Sequence, residues 1–199
     1  MATQVKKGYL RGVRGLILIP LNPDGSDMTT PERHPIRTPQ EIELEMEILE
    51  GESFELRGGD RPLLRGEEPD TTVGVNLTVT DARFDIAAVH YIAGGTLKTT
   101  TDATGNEVIT GWEAPTIEEQ TELRPFVLEV YVANYDETGG IDGFIKYEFP
   151  YCIGRAPSIS HSDRDWGTPE FEIRARQNPA KAGGPWKVEF VDTLPPELQ

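Results

Sequence analysis

Residues 41–48 alternate glutamate with large apolar residues without a break, in the order Glu-Ile-Glu-Leu-Glu-Met-Glu-Ile. Because successive side chains of a β-strand point to opposite faces, this pattern predicts a strand with one acidic and one apolar face. Four glutamates then lie in a row, about 7 Å apart. Such a row repels itself unless water, ions or basic groups of a partner lie against it. These residues are the first functional candidates: Glu41, Glu43, Glu45 and Glu47.

Strand patterns recur along most of the chain. Residues 15–19 are apolar throughout, which predicts a strand buried on both faces, and residues 72–80 alternate like residues 41–48. Pro150 predicts an edge strand or the end of the strand before it, because proline cannot donate to a sheet ladder. Further strands are predicted at 53–57, 97–101, 107–112, 126–134, 144–149, 171–175 and 186–190.

One helix is predicted, at residues 86–93. Asp85 is a suitable N-cap, the apolar residues recur at three-residue steps, and Gly94-Gly95 favours a left-handed stop. Many strands with one helix predict a mainly β fold, an antiparallel β-sandwich or rolled barrel with one flanking α-helix. At 199 residues the chain is expected to form a single domain over 1–199.

Three further segments are distinguished along the chain, the last of which includes the strand predicted at 186–190. Residues 1–14 form an N-terminal arm with basic and no acidic side chains, residues 20–40 form a long proline-bearing loop, and residues 179–199 form a C-terminal extension. A loop of that length in a compact domain is usually functional or disordered, so we expect it to become ordered against a neighbouring subunit. The cationic candidates of the arm are Lys6, Lys7, Arg11 and Arg14.

The charge balance restricts the possible partners. The formal net charge is -15 and the pI is near 4.6, whereas nucleic-acid binding gains most of its affinity from lysine and arginine. The single cysteine, Cys152, excludes an internal disulfide, fits folding in a reducing cytoplasm and is expected to be a small buried apolar residue. No apolar run approaches the length of a membrane span, and the first residues lack the apolar segment of a secretion signal.

No motif for catalysis or cofactor binding emerges from the sequence. It contains no Gly-Xaa-Ser-Xaa-Gly, P-loop or His-Glu-Xaa-Xaa-His pattern. His161, Asp163 and Asp165 are close in sequence, but such clusters are typical of turns that cap backbone groups. We therefore expect a non-enzyme with no cofactor and no metal.

The order of several segments resembles the major tail tube proteins of long, non-contractile-tailed bacteriophages. The resemblance covers residues 8 to about 178 and lies in the succession of pieces, since none is a chemical signature by itself. The segments are 49–60 (LEGESFELRGGD), 68–81 (EPDTTVGVNLTVTD), 92–97 (IAGGTL), 124–133 (RPFVLEVYVA), 143–150 (GFIKYEFP) and 169–176 (PEFEIRAR).

This resemblance implies a β-sandwich or barrel with a flanking helix, the phage tail tube fold. It also implies hexameric rings that stack into a hollow tube, through which DNA passes without specific binding. The implied partners are further copies of the chain, a tape measure protein, a tail terminator and distal tail or tip proteins. The implied location is the virion tail, with assembly in the host cytoplasm.

Two hypotheses follow for the charged candidates. If Glu41, Glu43, Glu45 and Glu47 line the lumen, their charge keeps a hydrated gap around DNA; the alternative is an ordinary solvated outer face. The basic arm, with Lys6, Lys7, Arg11 and Arg14, is expected to contact acids of the next subunit when rings stack.

Two other functions remain open at the level of sequence. One is a β-sandwich binding module, for example for carbohydrate, in which Trp112, Trp166 and Trp186 form a stacking surface. These tryptophans lie in or beside separate predicted strands, which favours core or corner packing for each. The other is the tube protein of a bacterial secretion system, which shares the hollow-ring arrangement.

Overall fold

A computed structural model describes residues 6–121 and 124–199 of the chain. Within these residues it has thirteen β-strands, one α-helix and two short 3-10 helices, at Glu119–Thr121 and Pro196–Leu198. The strands and the helix are β1 (Tyr9–Pro20), β2 (His34–Ile36), β3 (Pro39–Leu49), β4 (Ser53–Gly58), β5 (Arg61–Glu67), β6 (Thr71–Asp81), α1 (Ile86–Ala93), β7 (Thr96–Thr101), β8 (Glu107–Glu113), β9 (Phe126–Tyr135), β10 (Ile141–Gly154), β11 (Ser158–Ile159), β12 (Pro169–Arg176) and β13 (Lys187–Val191).

Nine strands form one antiparallel sheet in the order β2-β1-β9-β10-β12-β6-β3, with β11 paired to β12 and β13 paired to β10. The sheet rolls so that β1 approaches β3, but it does not close, and β2 and β3 are the two ends of this order. Two separate hairpins, β4–β5 and β7–β8, complete the fold. The predicted mainly antiparallel β fold with one flanking helix is confirmed, in the form of an open rolled sheet.

The core fills the inside of the rolled sheet. Its side chains come from alternate positions of the central strands, because alternate residues of a strand share a face. Three residues of α1, Ala88, Val89 and Ile92, close the core from one side. The fully buried strand residues include Leu16, Leu18, Val75, Leu77, Val79, Phe126, Leu128, Phe149, Cys152, Phe171 and Ala175.

The helix begins where the sequence predicts. The Asp85 side chain accepts hydrogen bonds from the backbone N–H groups of Ala87 (2.9 Å) and Ala88 (3.3 Å), which satisfies donors that have no partner in the first turn. The helix ends at Gly94, whose φ of 75° suits glycine. His34 of β2 also contacts Asp85, at 2.8 Å, and its hydrogen bond is the main reason that the Asp85 pKa is lowered.

The strand end that Pro150 offered as one alternative is wrong, because β10 continues through this residue to Gly154. The register with β9 shifts between Phe149 and Cys152, and such an irregularity tolerates a residue without an N–H. The other edge of β10 changes its neighbour at the same place: residues 144–148 pair with β13, and residues 152–154 pair with β12. Proline therefore lies where one long strand passes from one partner to another.

The long loop and the C-terminal extension both contribute strands to the sheet, and the strand in the extension is the one predicted at 186–190. Within residues 20–40, β2 pairs with residues 16–18 of β1, and Leu21 bridges to Asp27. Much of this segment is therefore ordered by contacts within its own chain. The C-terminal extension supplies β13 and then packs Leu194 and Leu198 against Ile17 and Tyr131 on the outer face of the sheet.

Candidate functional site

The four glutamates of the predicted row lie on one face of β3, as the alternation predicts. Glu41, Glu43 and Glu45 are exposed, while Glu47 is half-buried and accepts from the Arg176 guanidinium at 3.3 Å. β3 pairs with β6 and β6 with β12, so this polar face continues across three strands.

The strand register shows that one half of the polar face is acidic and the other half carries both acidic and basic side chains. Glu41 and Glu43 lie in line with Thr80 and Thr78 of β6, and these two threonines lie opposite Glu170 and Glu172 of β12. Glu45 and Glu47 lie in line with Asn76 and Gly74, which lie opposite Arg174 and Arg176. The acidic row is visible in the sequence. The arginines that offset the negative charge of its second half lie about 130 residues further along the chain, and strand pairing brings them next to the glutamates.

The apolar face of β3 is less covered than its pattern suggests. Ile42 is half-buried, but Leu44, Met46 and Ile48 are exposed. The reason is that β3 is the last strand of the rolled sheet, and its second half extends beyond the core together with the start of β6.

The β4–β5 hairpin continues this exposed region. Phe54, Leu56 and Leu64 lie on one face of the hairpin, and they are 53%, 59% and 58% exposed. The opposite face carries the ion pairs Arg57–Glu55 (3.2 Å) and Arg65–Glu67 (3.0 Å). We call residues 44–73 the apolar arm. Its exposed apolar side chains are Leu44, Met46, Ile48, Leu49, Phe54, Leu56, Leu63, Leu64 and Val73.

The cations of the predicted N-terminal arm have different surroundings. Arg11 and Arg14 belong to β1, which begins at Tyr9 and continues past a register irregularity near Gly12, where φ is 75°. Arg14 donates to the Tyr135 hydroxyl at 3.1 Å. Lys6 pairs with Asp192 at 3.3 Å and lies over the Phe190 ring, 5.6 Å from its centroid. Lys7 is exposed, and residues 1–5 lie outside the described part of the chain.

A charged network joins the C-terminal extension to the outer face of the sheet. Arg33 contacts Glu129 (2.8 Å) and Glu197 (2.9 Å), and the Tyr131 hydroxyl donates to Glu129 at 3.0 Å. Burial and then the Glu129 charge raise the Tyr131 pKa to about 12. The network thus fixes residue 197 beside strand β9.

Lys146 extends this network toward β13. Its ammonium group lies 2.9 Å from Glu148 and 3.0 Å from Glu189. Burial opposes its charge, but the hydrogen bonds to these carboxylates prevail and raise the Lys146 pKa. Glu148 also contacts Lys187 at 2.9 Å. Burial alone would raise the Glu148 pKa, but the two lysines lower it.

The tryptophans have three different environments. The Trp112 indole N–H donates to the Gly94 carbonyl at 2.7 Å, and Trp186 stacks on Tyr147 with ring centroids 6.4 Å apart. Trp166 is 94% exposed, so the expectation of core or corner packing is wrong for this residue. Trp166 directly follows the turn and bend at residues 163–165.

Other chemistry receives little support from the geometry. Cys152 is fully buried, as predicted, and burial raises the pKa of its thiol. In residues 6–121 and 124–199, no three or more histidine, cysteine or acidic side chains are grouped so that they could hold a metal ion. Across the same residues, no helix has the length and apolar character that crossing a membrane requires.

The solved structures to which the chain is similar include two from an anti-feeding prophage. One is a chain in the cryo-EM structure of the anti-feeding prophage baseplate, 6-fold symmetrised, with 7% identity and a TM-score of 0.41. The other is a chain in the cryo-EM structure of the anti-feeding prophage cap, described as a tube terminating cap, with 9% identity and a TM-score of 0.41. Each comparison covers 95% of this chain and 97% of the other. No protein-family model and no curated protein matches the chain. These identities and TM-scores are too low to assign a family or a function.

Proposed function

We propose that the chain is a structural subunit that assembles with copies of itself into rings, and that the rings stack into a phage tail tube through which DNA is ejected. The observation that carries this proposal is the apolar arm. It presents several large apolar side chains that remain exposed among the described residues.

Exposed apolar surface of this extent favours association. A lone two-stranded hairpin is at best marginally stable in water, and β4–β5 has an amphipathic pattern without a core of its own beneath it. Burying one leucine side chain contributes about 1.5–3 kcal/mol, so covering Leu56 and Leu64 alone would supply a substantial part of a contact between copies. Surfaces of this kind typically mark interaction sites.

The stoichiometry and the further partners rest on the sequence resemblance. It supports six copies per ring, with a tape measure protein, a tail terminator and distal tail or tip proteins as the other contacts, and the virion tail as the location. Catalysis has no place in this function.

The charge supports passage of DNA without binding. Six copies carry 6 × -15 = -90 formal charges. Because salt screens charge over about 8 Å, the acids that border the lumen decide the effect. We propose Glu41, Glu43, Glu45 and Glu47 for this role, since they form the acidic row of an end strand and the first three of them are exposed.

Purified protein tests the proposal directly. Light scattering after size exclusion, over a wide concentration range, is expected to show a monomer that converts to large species, and negative-stain microscopy is expected to show rings or tubes. A chain that stays monomeric at the highest soluble concentration would contradict the proposal. Retention of that monomer on a sugar column would instead favour the carbohydrate-binding alternative.

A further inference from the structure

Asn134 of β9 is fully buried, yet its carboxamide makes no hydrogen bond within the described residues. Burying an amide without partners is unfavourable, since the group gives up its bonds to water and receives nothing in return. Asn178 shows the contrast. It is also buried, but its side chain donates to the Gly25 carbonyl at 2.9 Å and accepts from the Ala180 N–H at 2.8 Å.

The backbone at Gly8 covers the Asn134 carboxamide. A Cβ atom placed on Gly8 would lie 1.6 Å from Oδ1 and 2.4 Å from Cγ of Asn134, so no larger residue fits at this position without a shift. Residues just before β1 therefore close one end of the core face of β9. They do so without pairing the amide beneath them.

The contacts that hold this cover are weak. The Lys6–Asp192 pair is 3.3 Å long, and the Asp192 side chain is 91% exposed. Exposed pairs of this kind contribute little to stability. The contact of Lys6 with the Phe190 ring adds a modest cation–π attraction at a partly exposed site. A weakly held segment over an unpaired amide is suited to being displaced.

An open groove lies beside this cover. It is lined by Tyr9, Leu10 and Arg11 of β1 and by Tyr135, Asp136, Glu137 and Gly139 at the end of β9 and the turn after it. Leu10 is the residue paired with Asn134, and Tyr135 follows Asn134 in β9, so two lining residues of the groove are direct neighbours of the buried Asn134. Tyr9 and Leu10 are largely exposed, and the groove carries charges of both signs.

We propose that residues 6–8 form a displaceable latch over Asn134, and that an extended segment of a second copy replaces the latch during assembly. The inference rests on the proposed self-assembly. A carboxamide carries both donors and an acceptor, which match the N–H and C=O groups of an extended backbone. The incoming segment gains the hydrogen bonds that the latch leaves unmade, and the groove beside Asn134 holds its flanking side chains.

Two substitutions separate a latch from ordinary packing. Asn134→Leu removes the unpaired amide, so the monomer is expected to melt at a higher temperature, while assembly slows about tenfold, the factor expected from losing one or two hydrogen bonds. Asn178→Leu is the matched control, because this amide is paired; it is expected to melt at a lower temperature. Assembly of Asn134→Leu at the wild-type rate would overturn the proposal.

Removing residues 2–8 gives an independent test if leucine at 134 disturbs the packing. The shortened chain is expected to assemble at a lower concentration than wild type, because no latch has to leave. If the shortened chain needs a higher concentration than wild type to assemble, the latch proposal is overturned.

Hydrogen exchange of the monomer distinguishes failure of the latch from failure of the proposed function. The backbone amides of residues 8–10 are expected to exchange more slowly in Asn134→Leu than in wild type, whether or not either protein assembles. Unchanged exchange overturns the latch, whereas a wild-type chain that never assembles counts against the tail tube itself.

Discussion

Leu198 packs directly against the backbone of Gly15, so that a Cβ atom on Gly15 would lie 2.5 Å from its Cδ2 atom. The C-terminal extension thus reaches the first strand of the sheet. Ile17 and Tyr131 complete the apolar contact around Leu198. Arg37 donates to the Glu197 carbonyl at 2.8 Å and orients the same turn. These contacts make residues 194–198 part of the fold of the subunit.

Gly15→Ala is therefore expected to displace Leu198 and lower the free energy of unfolding by about 1–3 kcal/mol, the usual cost of overpacking. Limited proteolysis should cut the variant more readily beyond residue 191. Gly111→Ala is the control, because a Cβ at this strand glycine would meet Lys98 at an ordinary 3.6 Å. Equal protease resistance of wild type and Gly15→Ala would contradict the role of the contact.

The apolar arm yields a prediction from two adjacent residues. Leu64→Gln places a polar group on the apolar face of β5 and is expected to raise the concentration at which rings form by roughly tenfold, because an interface leucine contributes about 1.5 kcal/mol or more. Arg65→Gln introduces the same side chain on the opposite face of β5. It should change the concentration for ring formation little, since the Arg65–Glu67 ion pair is exposed. Light scattering measures both. Equal behaviour of the two variants would place the interface elsewhere.

Alternation and capping allow much of the fold to be predicted from sequence. The acidic strand, the helix after Asp85 and the long apolar strand β9 each have a signal within ten or so neighbouring residues. β2 lacks such a signal, because its three residues include a proline and become a strand by pairing with β1. The path of β10 through Pro150 likewise depends on its neighbours, β13 and β12, which lie far away in sequence.

The candidate site is less predictable than the fold. The glutamate row can be read directly, but the approach of Arg176 to Glu47 depends on the order of β3, β6 and β12 in the sheet. The exposure of Leu44 and Met46 depends on where the rolled sheet ends. Alternation defines which residues share a face, but it does not show whether the apolar face is covered by the same chain or by another one.

The Lys146 network predicts a dependence of stability on pH. The Glu148 pKa in the folded chain lies below its ordinary value of 4.5, so Glu148 stabilises the fold above that value, and the contribution is lost as the pH falls through the folded pKa. Lys146 has a raised pKa, so its contribution is present at neutral pH and is lost at strongly alkaline pH. The urea concentration at the midpoint of unfolding should therefore decrease at acidic pH.

Glu148→Gln is expected to lower stability at pH 7 and to reduce the loss between pH 5 and 3. Glu137→Gln, in the exposed turn after β9, changes the same type of group away from both lysines and should leave the acid slope as in wild type. Parallel acid slopes for Glu148→Gln and wild type would mean that the ion pairs at Glu148 do not contribute.

The lumen assignment predicts a defect in transport without a defect in assembly. Changing Glu41, Glu43 and Glu45 together to lysine leaves the Glu47–Arg176 pair and the core untouched, so tubes are expected to form at normal length. If this face borders the lumen, the lysines would attract DNA phosphates and release their counterions, which favours binding. DNA ejection from particles carrying the variant should then be slower, and added salt should partly restore it.

The same change in net charge at another exposed place provides the control for this variant. Asp142, Asp163 and Asp165 lie in a turn, in a bend or at a strand start, and all three are exposed. Their replacement by lysine alters the total charge equally but leaves the polar face of β3 acidic, so ejection should stay near the wild-type rate. Slow ejection in both variants would point to net charge, and normal ejection with lysines at 41, 43 and 45 would place the glutamate row on the outside of the tube.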